Sequence, residues 1–147
     1  MFTIFGKKRA AHLELGRTGE DIAQRMFRNQ GYDILARDVR FPKGEIDLIL
    51  RAGLSLVFAE VKTRRFKRLE DLRALQVDDV IRYRQKRRIY RAAFSYMKKI
   101  GNPSMPYQFD LVQVLFLKNS LYEIRHIQRA FGQRTFEHRR PVENLFR

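Results

Sequence analysis

The stretch Gly44-Glu45-Ile46-Asp47-Leu48-Ile49-Leu50-Arg51-Ala52-Gly53-Leu54-Ser55-Leu56-Val57-Phe58-Ala59-Glu60-Val61-Lys62 decides the fold. Two apolar runs, Glu45 to Leu50 and Leu54 to Lys62, flank the turn Arg51-Ala52-Gly53. Runs of that length around so short a turn predict an antiparallel strand pair. Side chains alternate along a strand, so Glu45 and Asp47 are expected on one face, and Glu60 and Lys62 also share a face. Acids are depleted in strands. Near the middle of a sheet they must be paired or must hold a cation. Carboxylates on two adjacent strands can converge on one point, and a hard divalent cation there would take oxygen ligands. The alternative is a cross-strand ion pair, for example Asp47 with Lys62.

Before this pair, Tyr32 to Phe41 reads as another strand, joined through the turn chemistry of Pro42-Lys43-Gly44. The three strands predict an antiparallel meander. Leu13 to about Gln30 is helical, with Ile22, Ala23, Met26 and Phe27 in one stripe and Gly31 placed for a C-terminal cap. Glu20 shares the core-facing stripe with Ala23 and Phe27. It is either a helix-start carboxylate in a turn begun by Thr18, or it faces the same point as Asp47.

After the pair, a basic stretch from Thr63 to Gln76 leads to a long helix near Asp78–Ile100, ended by Gly101-Asn102-Pro103. Its stripe Val77, Ile81, Gln85, Ile89 is interrupted by one amide. Gln85 either satisfies buried backbone or faces the site. Gln108–Leu117 and Leu121–Ile127 read as two further strands around Lys118-Asn119-Ser120. The reading is one domain over residues 1–147, with a core at 12–128, a basic lead at 1–11 and a basic tail at 129–147. The order αβββαββ predicts an α/β fold with a largely contiguous sheet covered by helices.

Charge names the class of partner. Lys and Arg total 31 against 16 Asp and Glu, a formal net charge of +15. From Lys62 to Lys99 there are 14 basic and four acidic residues, a local excess of +10. Such crowding costs stability that an anionic partner relieves, and nucleic acid is the default partner. The apolar face of the basic helix reads as core, so a membrane surface is not the expected partner. No apolar run reaches the ~20 residues of a membrane span. The apolar start Met1-Phe2-Thr3-Ile4-Phe5 is too short for a signal segment, and its basic residues follow it rather than precede it. With no cysteine, disulfides and thiolate metal sites are excluded, and the expected compartment is the cytoplasm. Gly16 and Gly19 lack the ending of a phosphate loop. His12, His126 and His138 have no zinc spacing, and no nucleophile elbow is present.

The arrangement Gly19-Glu20, Gly44-Glu45-Ile46-Asp47-Leu48-Ile49 and Phe58-Ala59-Glu60-Val61-Lys62-Thr63-Arg64 resembles the YraN-like family of uncharacterised bacterial proteins. The helix bearing Gln85 and the strand Phe109-Asp110-Leu111-Val112 are also similar to it. That family in turn resembles the restriction-endonuclease-like superfamily, in which an Asp is followed after a gap by (Asp/Glu)-X-Lys. Archaeal Holliday-junction resolvases are similar members. The resemblance implies a central mixed sheet flanked by helices. It implies Asp47 as the lone acid, Glu60 and Lys62 as the paired motif and Glu20 as the helical acid. Three features depart from these patterns. Arg84 stands where the family often has Lys, Ile89 breaks the nuclease motif Gln-X-X-X-Tyr, and the 65–75 loop is more basic.

Two functions follow as expectations. The first is a nuclease acting on DNA, in which Asp47, Glu60 and Glu20 hold Mg²⁺ or Mn²⁺. Lys62 would then orient the attacking water or neutralise developing charge, with Gln85 as a further catalytic-site residue. The second is a non-cutting nucleic-acid-binding module with the same fold. In both, Arg64, Arg65, Lys67, Arg68, Arg84, Lys86, Arg87 and Arg88 supply phosphate contacts. A homodimer enters by analogy alone, because resolvases cut two strands.

Overall fold

The computed structural model describes residues 4–76 and 81–132, without the side chains of residues 4–10, 12 and 13. Helix α1 (Ile4–Asn29) precedes strands β1 (Asp33–Phe41), β2 (Gly44–Ala52) and β3 (Ser55–Phe66). A short helix α2 (Leu69–Arg73), helix α3 (Tyr83–Lys99) and strands β4 (Tyr107–Leu117) and β5 (Ser120–Phe131) complete the order. The strands form one sheet in sequence order, β1-β2-β3-β4-β5. All neighbours are antiparallel except β3 and β4, which are parallel. The expected mixed α/β sheet flanked by helices is therefore the fold. The β2–β3 pair is antiparallel through the Arg51-Ala52-Gly53 turn, with Leu48 opposite Ala59 and Ala52 opposite Ser55.

The parallel step follows from α3. A chain leaving β3 and returning parallel beside it needs a crossover, and α3 supplies one. Its buried residues Ile89, Ala92, Ala93 and Met97 pack on Ile46, Ile49, Phe58 and Phe109. The other face of the sheet packs on α1, where Ala23 and Phe27 meet Leu48, Leu50, Val57, Ala59 and Val112. The sheet thus has an α3 face and an α1 face. Among the described residues, no helix is long and apolar enough to cross a membrane.

Several element limits differ from the sequence expectation. Helix α1 begins at Ile4, inside the expected basic lead. Lys, Arg, Ala and Leu are good helix formers, so charge there does not mean irregular chain. Thr18 and Glu20 consequently lie mid-helix. The Thr18 hydroxyl donates back to the Glu14 carbonyl at 3.0 Å, which removes the helix-start reading of Glu20. The α1 cap is as expected: Gly31, at φ 86°, donates to the Arg28 carbonyl, while the Tyr32 N–H reaches Phe27. Strand β3 runs on to Phe66 because β4 pairs it throughout, with Phe66 opposite Leu117. Helix α3 begins at Tyr83, and Val77 and Asp78 lie outside the described residues.

Strand β5 extends to Phe131, where a tail was expected. A register shift between Phe109 and Leu111 and a left-handed Arg129 (φ 51°) turn Phe131 back to the core, where it stacks on Phe109 at 5.0 Å. Residues 133–147 of the expected tail lie outside the described residues.

Gly44 positions α3. A Cβ there would meet the Arg88 carbonyl oxygen and lie 2.8 Å from its carbon. The obstacle is backbone, which cannot swing aside. Gly44→Ala is therefore expected to destabilise the fold by about 1–3 kcal/mol, seen as a lower denaturant midpoint with an unchanged m value.

Candidate metal and phosphate site

The site forms where two strands part. Paired positions between β2 and β3 end at Leu48 and Ala59, while β3 continues with β4 through Glu60, Lys62 and beyond. At this fork Val61 would lack a partner on the β2 side. The Asp47 carboxylate fills the gap, its Oδ2 accepting from the Val61 N–H at 2.8 Å.

Strand β2 also changes its alternation here. Ile46 packs on the α3 face, but Leu48 and Leu50 pack on the α1 face. The neighbouring β1 shows the matching irregularity. Asp38 is left-handed (φ 47°) and lies between the pairs Arg37–Leu48 and Val39–Ile46. The two breaks place Asp38 and Asp47 together beneath α1. Carboxylate oxygens of Glu20, Asp38 and Asp47 lie within 4.8 Å of one another. Gly19 brings α1 this close. A Cβ on it would lie 2.9 Å from that of Thr63 on β3.

Glu60 stands outside this triangle but joins it through Asp47, with which its carboxyl shares a hydrogen bond. It lies on the α3 face and is 6% exposed. The Gln85 Nε2 donates to its Oε1 at 2.7 Å, and Lys62 Nζ stands 3.3 Å from the same oxygen. Gln85 therefore faces the site rather than buried backbone, and the ion pair of Lys62 is with Glu60 on its own strand β3, not the cross-strand pair with Asp47. Burial, then the Asp47 charge, pushes Glu60 up to about 8, and the 3.3 Å approach of Lys62 opposes this without overcoming it. Glu20 is raised to about 7 by burial and by the charges of Asp47 and Asp38. Asp47 is raised by burial, against the Val61 and Glu60 hydrogen bonds and Lys62.

These shifts set a pH dependence. A carboxyl raised in the folded state contributes stability that is fully present below its unfolded value of 4.5. That contribution is lost as pH rises through the folded values, about 7 for Glu20 and about 8 for Glu60. In chelator, the melting temperature is expected to fall as pH rises from about 5 to 8. Glu60→Gln, which cannot ionise, is expected to flatten that fall. A melting temperature rising over this window in wild type would contradict the assignment.

The structure thus brings together Asp47, Glu60, Lys62, Glu20 and Gln85. Glu45 pairs with Arg40 at the surface, at 3.6 Å, and its charge still acts on Asp47. Arg84 and Arg88 line a groove of about 710 Å³ that reaches Glu60 and Gln85. Arg64, Arg65, Lys67, Arg68 and Arg87 are exposed and Lys86 is half-buried. Arg68 is engaged by Glu70 at 3.4 Å. Asp38 is the residue that sequence reasoning missed. Its signal was an acid inside a strand, and Asp is among the residues that tolerate left-handed backbone.

Asp110 is elsewhere. Fully buried, it accepts from Gln108 Nε2 at 2.9 Å and the Arg129 N–H at 3.0 Å, and it binds His126 Nε2 at 2.7 Å. The His126 ring packs on Phe27 at 5.0 Å. This is a satisfied histidine that ties β5 to β4 and α1. His12 lies in α1 with its side chain undescribed, and His138 lies outside the described residues.

The model of the family described as "Uncharacterised protein family UPF0102" matches residues 19–114. The chain belongs to this family. The matched span begins at Gly19-Glu20 and contains Asp38, Asp47, Glu60, Lys62 and Gln85. Among its bacterial relatives, a UPF0102 protein of Symbiobacterium thermophilum is 38% identical over 117 residues, covering 80% of this chain and 95% of the relative. A UPF0102 protein of Chlorobaculum tepidum is 40% identical over 122 residues, covering 80% and 91%. One of Caldicellulosiruptor saccharolyticus is 34% identical over 119 residues, covering 80% and 97%. As a member of UPF0102, the chain shares nearly the whole length of these relatives.

Proposed function

We propose that this chain is a nucleic-acid-binding, divalent-metal-dependent phosphodiester hydrolase acting on DNA. The observation that carries the reading is the convergence of Glu20, Asp38 and Asp47 within 4.8 Å, one hydrogen bond away from a Glu60–Lys62 pair. Three hard oxygen donors from α1, β1 and β2 suit Mg²⁺ or Mn²⁺, which keep several waters. Like charges this close repel, and a cation relieves that repulsion. Glu20, Asp38 and Asp47 would hold it. When bound, it supplies Lewis-acid polarisation of a phosphate and a more acidic attacking water.

The remaining chemistry belongs to the chain. Asp47 is fixed by the Val61 N–H, so its carboxylate cannot rotate freely. Gln85 fixes Glu60. Glu60, raised to about 8, keeps a proton at neutral pH and shares it with Asp47. Lys62 then stands beside a neutral acid, with its charge acting on Asp47, and only 19% of its side chain is exposed. A partly desolvated ammonium stabilises negative charge developing on a phosphate more than an exposed one does.

One observation favours the non-cutting alternative. Glu60 already has protein partners in Gln85 and Lys62, so the Glu60 end of the cluster is satisfied without a ligand. The test is cleavage of branched, single-stranded and duplex DNA with Mn²⁺ or Mg²⁺ and with chelator. Metal-dependent cutting supports hydrolysis. Intact DNA under every metal condition supports the binding module.

A further inference from the structure

The groove beside the acid site is built from two elements that the sequence separates widely. The β1–β2 hairpin supplies Arg40 and Lys43. The start of α3 supplies Arg82, Arg84 and Arg88. All five cations are exposed. Only Arg40 has an acidic partner among the described residues, Glu45 at 3.6 Å, with both side chains largely in water. Lys43, Arg82, Arg84 and Arg88 face the same concavity and form no ion pair among the described residues, and five cations there outnumber the two carboxyls, Glu45 and Glu60, that also line it. Its inner end is Glu60 with Gln85.

This crowding is enforced. The hairpin and the helix touch at Gly44 and the Arg88 carbonyl, so closely that no Cβ fits between them. This backbone contact holds the cations of the two walls close together. Like charge held in a concave site raises the local concentration of anions. Planar guanidinium groups also match phosphate oxygens two at a time.

We propose that this groove seats one phosphodiester strand of a nucleic acid, gripped between Arg40 and Lys43 on the hairpin and Arg82, Arg84 and Arg88 on α3, and leads it to Glu60 and Lys62. The inference rests on the proposed hydrolase reading for the strand's destination. The seating itself needs no cutting. A row of phosphates suits the groove better than a single phosphate, because its five lining cations come from two separate elements. Arg40, Lys43 and Arg82 thereby become strand contacts alongside Arg84 and Arg88.

The test is binding of the full chain to a fluorescent single strand of DNA in chelator, by anisotropy over a range of salt. Lys43→Glu with Arg82→Glu is compared with Lys98→Glu and Lys99→Glu at the far end of α3. The two double variants carry the same change in charge. Losing two single-strand phosphate contacts is expected to shrink the log–log salt slope of the groove variant by about 1.4, at about 0.7 for each. Its affinity at moderate salt is expected to fall by tenfold or more. The Lys98 and Lys99 variant is expected to keep the wild-type slope. Lys43→Ala with Arg82→Ala, which adds no acid, should show the same slope loss as the glutamate pair.

Equal losses in the two glutamate variants, or no loss in either, would overturn the groove. Absence of binding by wild type would overturn it too. Because chelator prevents cutting, the two proposals fail separately. Groove-dependent binding with no cleavage in Mn²⁺ removes the hydrolase alone. Cleavage that ignores Lys43 and Arg82 removes the groove alone.

Discussion

Asp47→Ala is expected to abolish metal-dependent cleavage and, with it, the stabilisation of the fold by Mn²⁺. Asp47 is the carboxylate common to both halves of the site. It lies within 4.8 Å of Glu20 and Asp38 and shares a hydrogen bond with Glu60. Wild type at a hundredfold excess of Mn²⁺ over Kd gains about 2.7 kcal/mol, a rise in Tm of about 5–10 °C for a chain of this size. Removing Asp47 breaks the triangle and should erase that rise. Cleavage should fall about 10³-fold or more, which is about 4 kcal/mol of lost Lewis-acid stabilisation at 1.36 kcal/mol per tenfold. Without metal the variant gains on one count and loses on another. Glu20 and Glu60 lose a repelling charge, while the Val61 N–H loses its acceptor. An unsatisfied buried N–H costs about 1–3 kcal/mol. A Tm rise with Mn²⁺ that survives in Asp47→Ala would place the cation elsewhere.

Lys62→Ala should separate the two effects. It is expected to keep the Mn²⁺ shift in Tm, because an ammonium does not ligate a cation. Cleavage should fall about 10²–10³-fold, the loss typical of one preorganised charge-stabilising group. The fold should tolerate the change. Glu60 is raised to about 8, so at neutral pH the loss of Lys62 strands a neutral acid that Gln85 still holds. The expected cost is about 1 kcal/mol for one hydrogen bond. If Glu60 and Lys62 were instead a purely structural ion pair, the same change would leave a buried carboxylate unpaired and cost roughly 3–5 kcal/mol. Denaturant curves of wild type and Lys62→Ala, with and without Mn²⁺, separate the two cases.

Much of this architecture could be read from local pattern. Alternation in Leu56, Phe58 and Glu60 against Val57, Ala59 and Val61 gave the correct face for Glu60 and Lys62, because β3 is regular there. Spacing four along α3 brought Gln85 to the sheet, and the structure chose between its two readings. Gly31 marked the end of α1 because the backbone must turn left-handed there.

What escaped the sequence depends on irregular backbone or on distant partners. Asp38 reaches the cluster only through a positive φ in β1, and no period in the sequence encodes that. Ile46 and Leu48 face opposite sides because β2 breaks its alternation between them, at Asp47. Strand β5 outruns its pattern because Arg129 is left-handed and its N–H is held by Asp110, one strand away. The cationic groove joins residues near 40 to residues near 85, a contact that depends on Gly44 lying under Arg88.

The central claim is that these acids cut nucleic acid with a metal. It is tested most directly by incubating wild type and an identically purified Asp47→Ala variant with labelled branched, single-stranded and duplex DNA, in Mn²⁺ and in chelator. The account predicts cleavage of at least one substrate by wild type in Mn²⁺. It predicts none in chelator and at most about a thousandth of the rate from the variant. Intact DNA in every wild-type lane, or equal cleavage by the variant, would contradict it.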